Sequence, residues 1–177
     1  MRGGAGRGRV LDEYSVERVL RFLEDAKEAI RAARAVTGES LDVFLRDIRL
    51  RFALRYALVQ LVESLAAALA PWLEYSCDRA PETYRQVFML AAECGILPAD
   101  VARVLAALAS LRNMLVHRYW SVDDERLFRE TRASLEVAER AVEWLRRLVG
   151  YQRAAGGEEA EHEDPAGGEG EGSPRSP

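Results

Sequence analysis

The chain has 177 residues, of which 49% are hydrophobic and 31% are charged, and its formal net charge is −4. This length allows one domain with a full core and makes a second independent domain improbable. Residues 154–177 contain seven acidic residues and one basic residue, or −6, so residues 1–153 carry +2. The body is therefore roughly neutral. Of the 25 basic residues only Lys27 is a lysine, and this general arginine bias does not by itself establish a nucleic-acid surface.

Apolar residues recur with a helical period along most of the chain, and no stretch alternates as a strand would, which predicts an all-α fold. The first helix is predicted over residues 13–36, with Gly38 as a left-handed stop. Its apolar stripe consists of Val16, Val19, Leu20, Leu23 and Ile30. A second helix of about 30 residues is predicted to begin at the N-cap Ser40 and to end before Pro71.

The remaining pattern predicts three further helices. Pro81 is suited to the first turn of a short third helix that ends at Gly95, with an apolar face of Tyr84, Val87, Phe88 and Leu90. Pro98 and Asp100 open a fourth helix that continues through Leu115. The last helix continues through Val149, and its predicted start is a capping box formed by Ser121 and Asp124. Long helices with short connections predict an antiparallel up-and-down bundle of about five helices.

The two ends of the chain are expected to lie outside this helical domain, which we assign to residues 10–153. Residues 1–9 are basic and glycine-rich and predict a flexible arm, with no apolar run that would make them a signal peptide. Residues 154–177 lack large apolar side chains and predict a disordered acidic tail. The most apolar stretch, residues 57–70, is too short to span a bilayer. We therefore expect a soluble, cytoplasmic protein without membrane contact.

The two cysteines, Cys77 and Cys94, lack the spacing of a CxxC motif. A chain without a secretory signal gives no reason to pair them, so both are expected to be reduced. No group of His, Cys, Asp or Glu has convincing metal-ligand spacing, and neither a metal nor another cofactor is expected.

The most informative motif is the octet RNMLVHRY, residues 112–119, at the end of the fourth predicted helix. His117 is the only histidine in the predicted domain, and histidine exchanges protons near neutral pH. Arg112 and Tyr119 would share a face of a continuous helix, whereas His117 would point about 140° away from Arg112. The three side chains can converge if the helix ends or loosens near Val116, or if a second molecule contributes to the site.

These residues suit RNA cleavage without a metal, which requires a base for the 2′-hydroxyl, an acid for the leaving 5′-oxygen and a cation for the phosphate. Arg112 suits the third task because its planar guanidinium matches phosphate oxygens. His117 suits either proton transfer. A second His117 in a symmetric dimer, a water molecule or Tyr119 could supply the other group.

The motif R-x4-H-x-Y at the end of the fourth helix of an all-α chain resembles the signature of the HEPN superfamily, in particular HepT-like toxins of type VII toxin-antitoxin pairs. The resemblance covers about residues 10–150. Three segments occur in that family's order: FLRDIRLRFALRYALVQLVES from Phe44, YRQVFMLAAECGILP from Tyr84, and RNMLVHRYWSVDDER from Arg112.

This resemblance implies a homodimer that cleaves RNA without a metal, and a cognate minimal nucleotidyltransferase antitoxin that adds adenylyl groups to the motif tyrosine. Arg112 and His117 would then be the catalytic pair, and Tyr119 the modified residue. Asn113 matches the residue often found after the motif arginine, and Glu63 matches a polar position on the second helix. Arg118 could add a phosphate contact.

Structural interpretations of the same residues stay open. His117 could interact with the last carbonyls of its helix, and Arg112 could be a salt-bridged surface arginine. Tyr119 could pack at a helix junction, and Glu63 could be solvated or could cap a neighbouring arginine. The alternative function is a non-catalytic helical partner or scaffold subunit of a minimal nucleotidyltransferase, with the octet as its docking or modification site.

Overall fold

The computed structural model describes residues 11–77, 79–117 and 122–160, with side chains up to residue 154. The described residues form six α-helices and no strand, which confirms the all-α prediction. They are α1 (Glu13–Thr37), α2 (Leu41–Arg46), α3 (Ile48–Ser76), α4 (Tyr84–Glu93), α5 (Ala99–His117) and α6 (Asp124–Ala160).

The long helices pack side by side as a bundle around one apolar core. Helix α1 packs mainly on α3 and also on α6, whereas α5 contacts α3, α4 and α6. Ion pairs from α1 to α6 join Glu24 to Arg146 and Arg34 to Glu139, so these two helices run antiparallel. The centre of the core is filled by fully buried leucines, including Leu58, Leu61, Leu65, Leu105 and Leu108.

The second predicted helix is broken in two at Asp47, so the prediction of one continuous helix was wrong. Ser40 does cap the first piece by accepting a hydrogen bond from the Val43 amide at 3.3 Å. Asp47 has extended backbone angles, φ −96° and ψ 107°, and its carboxylate accepts from the backbone amide of Arg49 at 2.8 Å. An aspartate that caps the next helix is locally favoured over a continuous helix. Hydrogen bonds from Arg49 lower the pKa of Asp47 to about 2.

Pro71 does not end α3, which continues to Ser76, so this boundary was also wrong. A proline inside a helix removes one backbone hydrogen bond and distorts the preceding turn. Here Pro71, Trp72 and Leu73 are all buried. Packing of the last turns against the core therefore outweighs the local preference.

Helix α3 is long and apolar enough to cross a membrane by length and composition alone, but 56% of its most apolar window is buried inside the bundle. Burial among the other helices accounts for this composition, because a helix that is apolar all round is typical of a protein core as well as of a membrane.

Two helix boundaries differ in detail from the prediction. Gly38 does follow the end of α1, but it has right-handed angles, φ −72° and ψ −23°, so the left-handed stop was wrong. Gly95 does have a positive φ of 73° just after α4. Pro81 lies before this helix, and Thr83 is its N-cap because the Thr83 hydroxyl accepts from the Gln86 amide at 3.2 Å.

The last helix begins at Asp124, and its cap is Asp123, whose carboxylate accepts from the Arg126 amide at 3.0 Å. The predicted capping box gave Asp124 a capping role, but this carboxylate binds arginines of α3. Ser121 lies outside the described residues. Helix α6 reaches Ala160, seven residues beyond the predicted end of the domain at Arg153. The predicted arm, residues 1–9, and residues 161–177 also lie outside the described residues.

Cys77 and Cys94 form a disulfide, with their Cα atoms 6.2 Å apart, so the expectation of two reduced thiols was wrong. Cys77 is the C-cap of α3 and Cys94 is the C-cap of α4. The bond therefore joins the C-terminal ends of two packed helices and closes a loop that contains α4 and its entry segment. The spacing in the sequence gives no sign of this proximity.

Candidate active site at the end of α5

The structure describes the octet from Arg112 to His117, whereas Arg118 and Tyr119 lie outside the described residues. Helix α5 is continuous through His117, so it does not loosen at Val116. Arg112, Asn113 and His117 nevertheless line one pocket of about 430 Å³. Both predicted catalytic residues, Arg112 and His117, therefore border the same wide pocket, although α5 is unbroken between them.

Arg112 is held by three neighbours from three parts of the chain. One terminal nitrogen forms an ion pair with the Glu63 carboxylate of α3, and the other donates to Asn113 Oδ1 at 3.4 Å. The guanidinium carbon lies 4.7 Å from the ring centroid of Tyr84, which is a cation–π contact. Only 14% of the Arg112 side chain is exposed, compared with 42% of Glu63. Two expected supporting residues, Glu63 and Asn113, thus contact the predicted catalytic arginine.

The opposite wall of the pocket is the entry segment of α4. Pro81, Glu82, Thr83, Tyr84 and Val87 line it. His117 is exposed at the end of α5, where its imidazole is accessible to a bound molecule. The pocket thus combines a cation, an amide and an imidazole with an aromatic ring.

A cluster of charges joins the start of α6 to α3. Asp124 accepts from Arg55 Nε at 3.0 Å and from Arg55 Nη2 at 2.7 Å, and from Arg51 at 3.4 Å. Only 11% of the Asp124 side chain is exposed. A forked arginine–carboxylate pair of this kind is geometrically specific. It therefore holds the first residue of α6 against α3.

Tyr84 is the residue of the site that sequence reasoning missed, because it was assigned only to the apolar face of the short helix. No local signal marks it, since its role depends on how α4 packs against α5. Among the described residues, no group of three or more His, Cys, Asp or Glu is arranged to hold a metal ion.

The sequence profile described as "HepT-like: Ribonuclease HepT-like" matches residues 26–145, which include the whole octet. The chain belongs to the HepT-like ribonuclease family. The resemblance found in the octet is thereby confirmed at the level of the family, and Glu63, Tyr84, Arg112 and His117 all lie within the matched region. No curated protein sequence matches the chain.

Solved structures with the same fold include toxins in complex with antitoxins. A tri-AMPylated HEPN toxin of Shewanella oneidensis in complex with an MNT antitoxin has a TM-score of 0.67 at 18% identity, covering 77% of this chain and 99% of that one. A toxin-antitoxin structure with AMP-PNP has a TM-score of 0.67 at 18% identity, with coverages of 74% and 98%. The cytosolic protein YutE of Bacillus subtilis has a TM-score of 0.64 at 17% identity, with coverages of 81% and 94%. At these identities the similarity shows the HEPN fold.

Proposed function

We propose that this HepT-like chain is a metal-independent endoribonuclease toxin that acts as a homodimer in the cytoplasm. We further propose that a partner nucleotidyltransferase neutralises it by adenylylating Tyr119. The observation that carries the proposal is that Arg112 and His117 line one pocket, with Arg112 held in place by Glu63 and Asn113. The membership of the family and the likeness to toxins in complex with antitoxins support it.

In this reaction the RNA 2′-oxygen loses its proton and attacks phosphorus, and the bond to the 5′-oxygen breaks as that oxygen gains a proton. The products are a 2′,3′-cyclic phosphate and a 5′-hydroxyl. Arg112 stabilises the negative charge that builds up on the phosphate oxygens. His117 serves one of the two proton transfers, and a second His117 across a two-fold axis serves the other.

An apolar stripe on α3 supports the proposed dimer. Ile48, Phe52 and Tyr56 follow one another at intervals of four residues and therefore share one face of the helix. Their exposed fractions are 56%, 60% and 71%. A contiguous exposed apolar surface is typical of a protein–protein contact. The stripe ends at Tyr56, about two turns before Glu63 on the same helix, so pairing here would bring the two pockets near each other.

The proposed control by the partner acts on Tyr119, two residues beyond His117. An adenylyl group on this hydroxyl would bring a phosphate and considerable bulk close to Arg112 and His117. The attached phosphate would compete with the RNA phosphate for the guanidinium, and its negative charge would repel RNA. AMPylation of a toxin is the modification named for the Shewanella oneidensis protein, which has this fold.

One observation favours the alternative, a non-catalytic partner or scaffold subunit of a nucleotidyltransferase. Arg112 already has an ion-pair partner, and its side chain is mostly covered. A purely structural arginine that joins α3 to α5 would have the same surroundings. The two functions therefore have to be separated by activity.

The test is to express the chain alone and to measure growth and cleavage of RNA by the purified protein, with and without EDTA. His117→Ala and Arg112→Ala should each lower the rate about 100-fold or more while the protein stays folded. Arg140→Ala is the matched control, because Arg140 is an exposed arginine paired with Asp100 at the opposite end of α5. Equal activity of His117→Ala and the wild type would refute the proposed mechanism.

Control by the partner is tested by co-expression with the nucleotidyltransferase. The mass of the peptide that contains Tyr119 should increase by one or more adenylyl groups. Tyr119→Phe should escape the modification and keep RNase activity. If the partner still silenced Tyr119→Phe, neutralisation would occur by complex formation alone.

A further inference from the structure

The Arg112 guanidinium lies over the ring of Tyr84, with its carbon 4.7 Å from the ring centroid. Tyr84 is the first residue of α4. Its backbone is fixed there because Thr83 caps the helix and because the Cys77–Cys94 disulfide closes the segment that contains it. The aromatic surface that meets Arg112 is thus presented by a constrained part of the chain.

These contacts decide which N–H groups of Arg112 are left to bind a ligand. A guanidinium has five N–H donors in one plane. One Nη2 hydrogen is directed to Glu63 and one Nη1 hydrogen to Asn113. The Nε atom is buried without a hydrogen-bond partner. A phosphate can therefore approach the remaining terminal N–H groups only from the side that Glu63, Asn113 and Tyr84 leave open.

We infer that Tyr84 is a positioning residue for Arg112, an inference that rests on the proposed RNase function. The ion pair with Glu63 fixes one edge of the guanidinium but leaves the plane free to rotate about that contact. Attraction of the cation to the Tyr84 ring restricts this rotation. The two contacts together aim the free N–H groups into the pocket that His117 also lines. Preorganised donors stabilise a transition state more than donors that must first reorient.

Substitutions at position 84 distinguish positioning of Arg112 by the cation–π contact from simple packing of the Tyr84 ring. A cation is attracted by the negative face of an aromatic ring, with or without a hydroxyl group. Phenylalanine at position 84 therefore keeps the contact, whereas leucine fills much of the same space without it. A second tyrosine offers a matched control, because Arg18 lies over the ring of Tyr14, with its guanidinium carbon 5.5 Å from the centroid. Tyr14 is 68% exposed on α1 and is not part of the pocket.

The first measurement compares kcat and KM for RNA cleavage in Tyr84→Phe, Tyr84→Leu and Tyr14→Leu. Loss of a partly desolvated cation–π contact should lower kcat of Tyr84→Leu about tenfold, with a smaller change in KM. Tyr84→Phe should stay within about twofold of the wild type. Tyr14→Leu should leave kcat unchanged. Equal kcat values for Tyr84→Leu and the wild type, or an equal loss in the Phe and Leu variants, would overturn the inference.

The second measurement does not depend on activity. The ring current of Tyr84 should shift the Nε–Hε signal of Arg112 in a ¹H–¹⁵N spectrum, and this signal is assigned by its absence from Arg112→Lys. The shift should persist in Tyr84→Phe and disappear in Tyr84→Leu. If the wild type does not cleave RNA but the signals behave in this way, the proposed function fails and the positioning of Arg112 stands. A signal that is unchanged in Tyr84→Leu overturns the positioning itself.

Discussion

Removal of the Cys77–Cys94 disulfide is expected to destabilise the protein by an amount set mainly by the loop that it closes. The two cysteines are 17 residues apart. Cross-linking a loop of this length stabilises the folded state by about 3 kcal/mol in the chain-entropy model. For a chain of this size, 1 kcal/mol corresponds to about 2–4 °C in Tm, so the loss should be about 6–12 °C.

The assay is thermal unfolding of the wild type and of the double variant Cys77→Ser/Cys94→Ser, each with and without dithiothreitol. The reductant should lower the Tm of the wild type towards that of the double variant, and it should not affect the variant. If the oxidised wild type contains no free thiols and its Tm is the same with and without reductant, this reasoning is refuted.

The same bond offers a test of the proposed location. Disulfides are uncommon in the cytoplasm of most organisms because glutathione and thioredoxin keep thiols reduced. Trapping the thiols of the protein in intact cells, followed by mass analysis, would show the state of this pair. A fully oxidised pair would argue against a reducing compartment.

Three further predictions concern association, the C-terminal end and pH. Phe52→Arg should change the mass measured by light scattering from about twice 19.8 kDa to 19.8 kDa, whereas Tyr151→Arg, at a 73% exposed site on α6, should leave the dimer intact. Truncation after Arg153 should change the free energy of unfolding by no more than about 0.5 kcal/mol. The reason is that Gln152, which accepts a hydrogen bond from the Leu11 amide at 2.8 Å, is retained. A large loss of Tm would show that the end of α6 stabilises the bundle. Because Arg49 lowers the pKa of Asp47 from 3.8 to about 2, ionised Asp47 stabilises the fold above pH about 4 and this contribution is lost as the pH falls through about 2. The Tm of Asp47→Asn should accordingly lie below that of the wild type at pH 7, and a gap that did not narrow between about pH 4 and pH 2 would contradict the assignment.

Much of this protein could be predicted from local sequence because local interactions determine it. The periods of apolar residues predicted α1 and α5 nearly to their ends, since a helix places residues three and four apart on one face. The spacing of Arg112 and His117 put both at the end of one helix, and the octet was enough to suggest the family. The break at Asp47 was missed although its cause is local, because the apolar period continues across it.

The partners of the site residues depended on the tertiary structure. Glu63 and Arg112 are 49 residues apart, and only the packing of α3 against α5 brings their charges together. The same holds for Tyr84, which looked like an ordinary packing residue until α4 placed its ring on the guanidinium, and for the two cysteines at the ends of different helices. Pro71 stays inside α3 because burial of its neighbours outweighs a local preference. The sequence by itself determined the all-α fold and the family. Contacts between helices decided what holds Arg112, because such contacts arise only when distant segments bury a common core.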